Sequence, residues 1–408
     1  MRRWAYSCRP RGGMVLIGVM WMVVLLTLIA TVVAQSGLLD THVAYVSTER
    51  IRLKWGCRAG LETAIALLGE DPKDGDSTFD SWSSYVHDVN SLPLDGCTFA
   101  IDVIDEAGKL NINTATREEL LRLPDMTEEA ADSILDWRDG DDDVREHGAE
   151  SGYYINLTYG YEARNAPFKT VREVLWVRGV TPTLFYGDSR LDRQASNSNR
   201  GWVNYLTCYS YDLNVDAGGN ARININTASE QQLRTGLGLS PGHAQWIMQN
   251  RTFDSIAGLL TDKSPNEPRA GADTTQPRPL DVQTFYSIVD KITVDGQRII
   301  RGRVNVNTAC REVLTAVLGD ERAALDIIAY RETLGRGMTS LGELKNVASF
   351  RRGLARVVLG SLTTRSNVYS VTSTARADAT RIKHRVEAVV DRDKSPAEVL
   401  YFRAGAIN

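Results

Sequence analysis

The sequence predicts an α+β protein. One long N-terminal helix packs on a small antiparallel sheet, and a large helical domain is inserted between the strands. Three observations carry this expectation. An apolar helical stripe runs from about residue 14 to residue 68. Strand-like alternation occurs near residues 97–104 and again only after residue 366. Between them, over residues 110–365, one motif recurs three times.

The helix begins in a membrane-type segment. Residues 1–13 form a basic, polar leader ending in Gly12-Gly13, and residues 14–34 then pass without a charge. About 21 residues at 1.5 Å each give roughly 31 Å of helix, enough to cross a bilayer core. The segment is too long for a secretory signal core, and no small-residue cleavage site closes it. Arg2, Arg3, Arg9 and Arg11 precede it, and basic flanks stay in the cytoplasm, so the body is expected across the membrane. Beyond the span, Leu39, Val43, Val46, Leu53, Cys57, Leu61, Ala64 and Leu68 recur at three- and four-residue steps, an amphipathic stripe. Gly37, Gly56 and Gly60 weaken it, and the run DPKDGD at 71–76 ends it.

Residues 97–104 (CTFAIDVI) alternate like a half-buried strand and close the segment 35–109. Residues 367–376 and 381–391 read as a hairpin joined at 377–380, with Ile382, His384, Val386, Ala388 and Val390 on one face. The C-terminal part, 366–408, is expected to hold these strands followed by an extra tail from residue 394.

The middle region repeats KLNINTATREEL (from Lys109), RININTASEQQL (from Arg222) and RVNVNTACREVL (from Arg303). Each copy reads as a short extended opening followed by a capped helix. Thr116 with Glu119, and Ser229 with Gln232, have capping-box spacing. In the third copy Cys310 breaks the box, and Thr308 is the alternative cap. A second helix follows each time, ending Ile134…Arg138, Ile247…Arg251 and Ile327…Arg331. A third element opens at Phe168, Phe253 and Met338. The copies, near 110–180, 222–290 and 303–360, start about 113 and 81 residues apart. Such unequal spacing excludes a regular solenoid.

The first copy differs by an insertion of residues 139–167 that opens DGDDD. Asp139, Asp141 and Asp143 match positions one, three and five of a calcium loop, and Glu150 matches position twelve. Glu146 adds a further carboxylate, while Val144 stands where the loop's glycine belongs. Such a set suits a hard cation with six to eight oxygen ligands; the alternative is a solvated acidic loop. A weaker candidate, Asp212-Leu213-Asn214-Val215-Asp216, reads better as a plain turn.

Composition bounds the rest. The chain has 408 residues, 24% charged and 43% apolar, with a formal net charge of −4. It describes a folded body and argues against one built to grip nucleic acid. Cys57, Cys97, Cys208 and Cys310 follow the leader, and three pairings or free thiols all remain open. No H-E-x-x-H, G-x-S-x-G or P-loop pattern occurs, and the chain reads as a non-enzymatic component.

The Gly13–Met14 junction resembles a type IV prepilin signal, in which cleavage precedes the apolar helix and the new N-terminus is methylated. That family usually carries Glu as the fifth mature residue; here it is Gly18. The three N-x-N-T-A copies resemble helix-hairpin-helix repeats. These occur in the K-type minor pseudopilin of type II secretion and in the membrane-anchored DNA receptor of natural competence. Asp125 and Asp320 stand in the hairpin turns where a phosphate-binding glycine would serve. Asp136-Trp137, Gly148-Ala149-Glu150 and Tyr153-Tyr154 resemble the K-type acidic loop. The K-type resemblance implies the pseudopilin fold with an inserted helical domain and a structural calcium ion. It also implies a place at the tip of a short periplasmic pseudopilus, with a single-pass anchor in the inner membrane and a periplasmic body. The implied partners are the I- and J-type minor pseudopilins, the major pseudopilin and the prepilin peptidase, with no nucleic acid. The other resemblance implies a membrane-anchored DNA-binding protein instead.

Overall fold

The computed structural model describes residues 12–83, 92–187, 200–261, 264–265, 274–350, 359–380 and 382–407. Most of the expected leader lies outside these residues, as does the Arg2, Arg3, Arg9 and Arg11 flank.

Helix α1, Gly12–Glu70, is one uninterrupted helix of 59 residues, about 88 Å long at 1.5 Å per residue. Its apolar side chains between Val15 and Val33 are exposed, as a lipid-facing span requires. Further along, Leu53, Cys57, Leu61, Ala64 and Leu68 are buried against the sheet. Each fully buried leucine there contributes about 1.5–3 kcal/mol. The glycines that weaken the helix permit this contact. A Cβ on Gly60 would lie 2.2 Å from Ser373 Oγ.

The sheet has five strands: β1 (Leu92–Leu94), β2 (Cys97–Asp105), β3 (Val368–Ala377), β4 (Lys383–Asp391) and β5 (Glu398–Ile407). They are antiparallel and stand in chain order. Val371 faces Val103 on one side and Ala388 on the other. The α1-side core gathers Phe99, Ile101, Val103, Val371, Val386, Ala388 and Val390. The expected tail after residue 394 is corrected by the structure: most of it forms β5, a full fifth strand on β4. Its residues carry no clean alternation because most side chains on both faces are exposed.

Asp105 lies opposite Tyr369 in the β2–β3 register. Everything between β2 and β3 is therefore one insertion between adjacent strands, with its own core. Three units build it. Each begins on a two-residue strand of the repeated motif and closes by parallel pairing with a later one. The pairs are Leu110–Asn111 with Leu206–Thr207, Ile223–Asn224 with Ile292–Thr293, and Val304–Asn305 with Leu362–Thr363.

The motif's polar residues work identically in each unit. Asn113, Asn226 and Asn307 exchange two bonds with the backbones of Phe168, Phe253 and Met338, all at 2.7–3.0 Å. Arg138, Arg251 and Arg331 each donate to two carbonyls of the opening, at residues 112 and 115, 225 and 228, and 306 and 309. The leading basic residues join the units: Arg222 and Arg303 both bond Asp212, at 3.0 and 2.8 Å. The capping boxes at Thr116–Glu119 and Ser229–Gln232 form. Thr308 does not cap the third copy; its hydroxyl donates to Asp105 Oδ2 at 2.6 Å instead, and Cys310 is the cap residue without a side-chain bond.

Candidate metal centre

The acidic insertion follows helix α2 (Arg117–Leu121) and helix α3 (Glu128–Arg138), and leads into helix α4 (Ser151–Ile155). α3 is pinned at both ends. Thr127 caps its first turn, and Arg138 ties its last turn to the carbonyls of Ile112 and Ala115. Trp137 packs edge-on against Tyr154 at 5.1 Å, and Tyr154 stacks on Tyr161 at 5.3 Å. This aromatic wall fixes α4, and with it Glu150 at its N-cap, against the end of α3.

Asp139, Asp141 and Glu150 converge, each offering an oxygen within 4.8 Å of the others. Arg145 donates to Asp136 Oδ1 at 2.5 Å and to Asp139 Oδ2 at 2.6 Å, which leaves Asp139 Oδ1 free. Gly148 is required beside them, because a Cβ there would lie 1.9 Å from Asp136 Oδ2. Arg178 holds the Gly148 carbonyl at 3.1 Å and the Glu129 carboxylate at 2.7 Å.

Four oxygens in this region are buried without a hydrogen-bond partner: Asp139 Oδ1, both carboxylate oxygens of Glu150, and Asn165 Oδ1. A buried carboxylate with no donor is costly unless a proton or a cation meets it. Glu150 is 2% exposed. Burial, joined by repulsion from Asp136, Asp139, Asp142 and Asp141, pushes its pKa up to about 7. The donor set is all oxygen, which suits a hard cation rather than a soft metal.

The sequence reading placed Asp143 and Glu146 in this set. Both side chains are exposed and stand outside the converging group. The backbone N–H of Asp143 donates to Asp141 Oδ1 at 3.0 Å, closing a local turn in place of the glycine turn of a calcium loop. Asn165 was not anticipated. Its amide donates to the Asp141 carbonyl at 3.0 Å and to Asp142 Oδ1 at 2.9 Å, clamping the acidic loop from the far end of the insertion. Its backbone sits at φ +46°, a left-handed conformation asparagine tolerates. Asp212, Asn214 and Asp216 form no such site. Asp212 is committed to Arg222 and Arg303, and Asp216 holds the turn at Asn220.

A second acidic group, Asp71, Asp76 and Asp80, also converges. Arg392 occupies it, bonding Asp71 at 2.9 Å and also Asp76, and Asp76 accepts from the Tyr369 hydroxyl at 2.6 Å. It is an ion cluster with its cation built in. Gly13 and Met14, the expected processing junction, lie in the first turn of α1. Cys57, Cys97, Cys208 and Cys310 carry free thiols.

A family profile described as type II secretion system (T2SS), protein K, matches residues 99–186. The match runs from β2 into the first unit, as far as residue 186, and contains the whole acidic insertion. The type II secretion system protein K of Pseudomonas aeruginosa is 24% identical over 270 residues, covering 60% of this chain and 73% of that protein. By these two matches the chain is similar to protein K of type II secretion systems. An endonuclease/exonuclease/phosphatase family domain-containing protein 1 from Xenopus laevis is 28% identical over 162 residues, 38% of this chain. The chain spans 24% of that relative's length. Among solved structures, the GspK-GspI-GspJ complex from the enterotoxigenic Escherichia coli type 2 secretion system aligns with 89% of this chain and 99% of its own. The identity there is 13% and the TM-score 0.49. Among the described residues one helix, α1, is long and apolar enough to cross a membrane.

Proposed function

We propose that this chain is a non-enzymatic minor pseudopilin that caps the type II secretion pseudopilus, starting its assembly and supporting export across the outer membrane. The observation that carries this reading is the protein K match over residues 99–186, which falls on β2 and the start of the inserted domain rather than on the pilin-like helix. In this reading the prepilin peptidase cuts between Gly13 and Met14 and methylates Met14. The mature chain spans the inner membrane once, with its N-terminus cytoplasmic and its body periplasmic. Its partners are the I- and J-type minor pseudopilins and the major pseudopilin, and it binds no nucleic acid. Two features support a tip position. Gly18 offers no carboxylate to an N-terminal amine of a subunit above, and the insertion crowds the space that subunit would need.

The inserted domain, residues 110–365, is a set of helix-hairpin-helix-like units. One left-handed residue in each hairpin turn supports this: Asp125 (φ +54°), Gly238 (φ +71°) and Gly319 (φ +69°). The first unit holds a structural calcium ion on Asp139, Asp141 and Glu150, with Asn165 beside them. The four orphaned oxygens are what support it.

Mass spectrometry of the mature N-terminus tests the core of the proposal. N-methylated Met14 is the expected result, and an uncut chain would refute it. Gly18→Glu tests the tip assignment: it is expected to impair assembly and secretion, and unchanged secretion would show that Gly18 does not mark the tip.

A further inference from the structure

The two edges of the five-stranded sheet are built differently. Among the described residues β1 is three residues long with Pro93 at its centre, so that stretch offers few donors to another strand. β5 runs ten residues, Glu398–Ile407, along the full length of β4. Among the described residues nothing pairs with its outer side. From residue 399 to residue 405 it has no proline and one charge, Arg403. Natural sheets blunt such edges with prolines, charges, bulges or shortness; β5 carries one bulge, at Leu400, and past it Tyr401–Ile407 pairs with β4 without interruption.

The side chains agree with the backbone. Phe402 and Ala404 stand opposite Ala388 and Val386, which are buried under α1. Yet Phe402 is 53% exposed, because α1 packs over β2, β3 and β4 and stops short of β5. Val399 and Leu400 are each 41% exposed. The edge thus carries a ladder of unmet N–H and C=O groups beside an apolar ledge. A helix cannot satisfy that ladder, because its own main-chain groups are spent internally; an extended strand can.

A second copy of the chain is a poor occupant. Two antiparallel β5 edges forming one continuous sheet are related by a two-fold axis normal to it. That operation reverses α1, which lies along the sheet, and sends the two apolar spans in opposite directions. One membrane does not accommodate both. The occupant is therefore a different chain, inserted in the same sense.

We propose that β5 receives a β-strand from a neighbouring minor pseudopilin, continuing the sheet across the subunit boundary. This rests on the proposed function, which supplies such a neighbour. The test co-expresses the full-length chain with the I- and J-type minor pseudopilins of its own secretion system. Single cysteines at Leu400, Phe402, Arg403 and Ala404 are paired with cysteines stepped along each partner strand. The expected result is a crosslink whose partner position moves by one residue for each residue moved along β5. Co-purification without such stepping, or crosslinks solely between copies of this chain, would overturn the strand addition and leave the function standing. Failure to co-purify at all would overturn both. A second arm uses Phe402→Lys with Ala404→Lys, at exposed positions where folding is unaffected. At least a tenfold loss of co-purified partner at unchanged Tm is expected, and unchanged recovery would refute the proposal.

Discussion

The first and third helical units share one frame and differ in what hangs on it. In both, an asparagine clasps the third element and an arginine clasps the opening, through bonds to the same backbone positions. The third unit passes from α-helix Glu321–Leu334 to Met338 in a few residues, and its clasp groups are paired within the fold. The first unit interposes residues 139–167, and there the pairing fails: carboxylate and amide oxygens are buried without donors. The frame is therefore a stability device, and the departure from it is where oxygens are left for the proposed ion to meet.

The largest expected effect breaks the frame without touching the site. Arg331→Ala leaves the Val306 and Ala309 carbonyls without their donor, at a cost of about 3 kcal/mol for two buried acceptors. Chemical denaturation of the full chain in detergent measures it, and the response to calcium should survive. Next in size is the metal itself. Calcium at about a hundred times its Kd stabilises by about 2.7 kcal/mol, a Tm rise of about 3–5 °C. Asp139→Ala and Asp141→Ala should abolish that rise, and a chain whose Tm ignores calcium would sink the site.

The pH dependence sharpens the same contrast. Glu150 has its folded pKa raised to about 7, above the unfolded carboxylate value. Its contribution therefore favours the fold at low pH and is lost as pH rises through about 7. Calcium must displace that proton, so its affinity should fall about tenfold per unit below pH 7, as calorimetry would show. Glu150→Gln should remove both dependences. The smallest effect is expected from Asn165→Ala. Loss of the clamp on the Asp141 carbonyl and Asp142 costs about 1 kcal/mol, or about fivefold in calcium affinity, with the third unit unchanged.

Local pattern made much of this legible. The α1 stripe, the β3–β4 hairpin and the three motifs are periodic or repeated, and each is visible within a dozen residues. The unit boundaries were not. Leu206–Thr207, Ile292–Thr293 and Leu362–Thr363 are two-residue strands, too short to show a period. β5 escaped because a strand exposed on both faces has no reason to alternate. At the site, carboxylate spacing points to Asp139, Asp141 and Glu150, which converge, and equally to Asp143 and Glu146, which stand apart from them. Spacing along a template does not say which side chains turn inward once the template's glycine is replaced. Asn165 is neutral and fifteen residues beyond Glu150. Only the packing of α4 and the following loop returns it to the acidic turn.

The Asp71–Asp76 ion cluster has a mechanical consequence. It stands immediately after the last turn of α1. Asp76 receives Arg392 from the end of β4, the Tyr369 hydroxyl and the Ser366 N–H from the start of β3, and its carbonyl takes Asn305 of the third unit. A tug on the apolar half of α1 thus meets a rivet at the opposite end of the rod, where sheet and insertion are both fastened. α1 cannot slip lengthwise under the body without shearing that rivet. Drawn out of the lipid, the helix hauls sheet and insertion with it as one load.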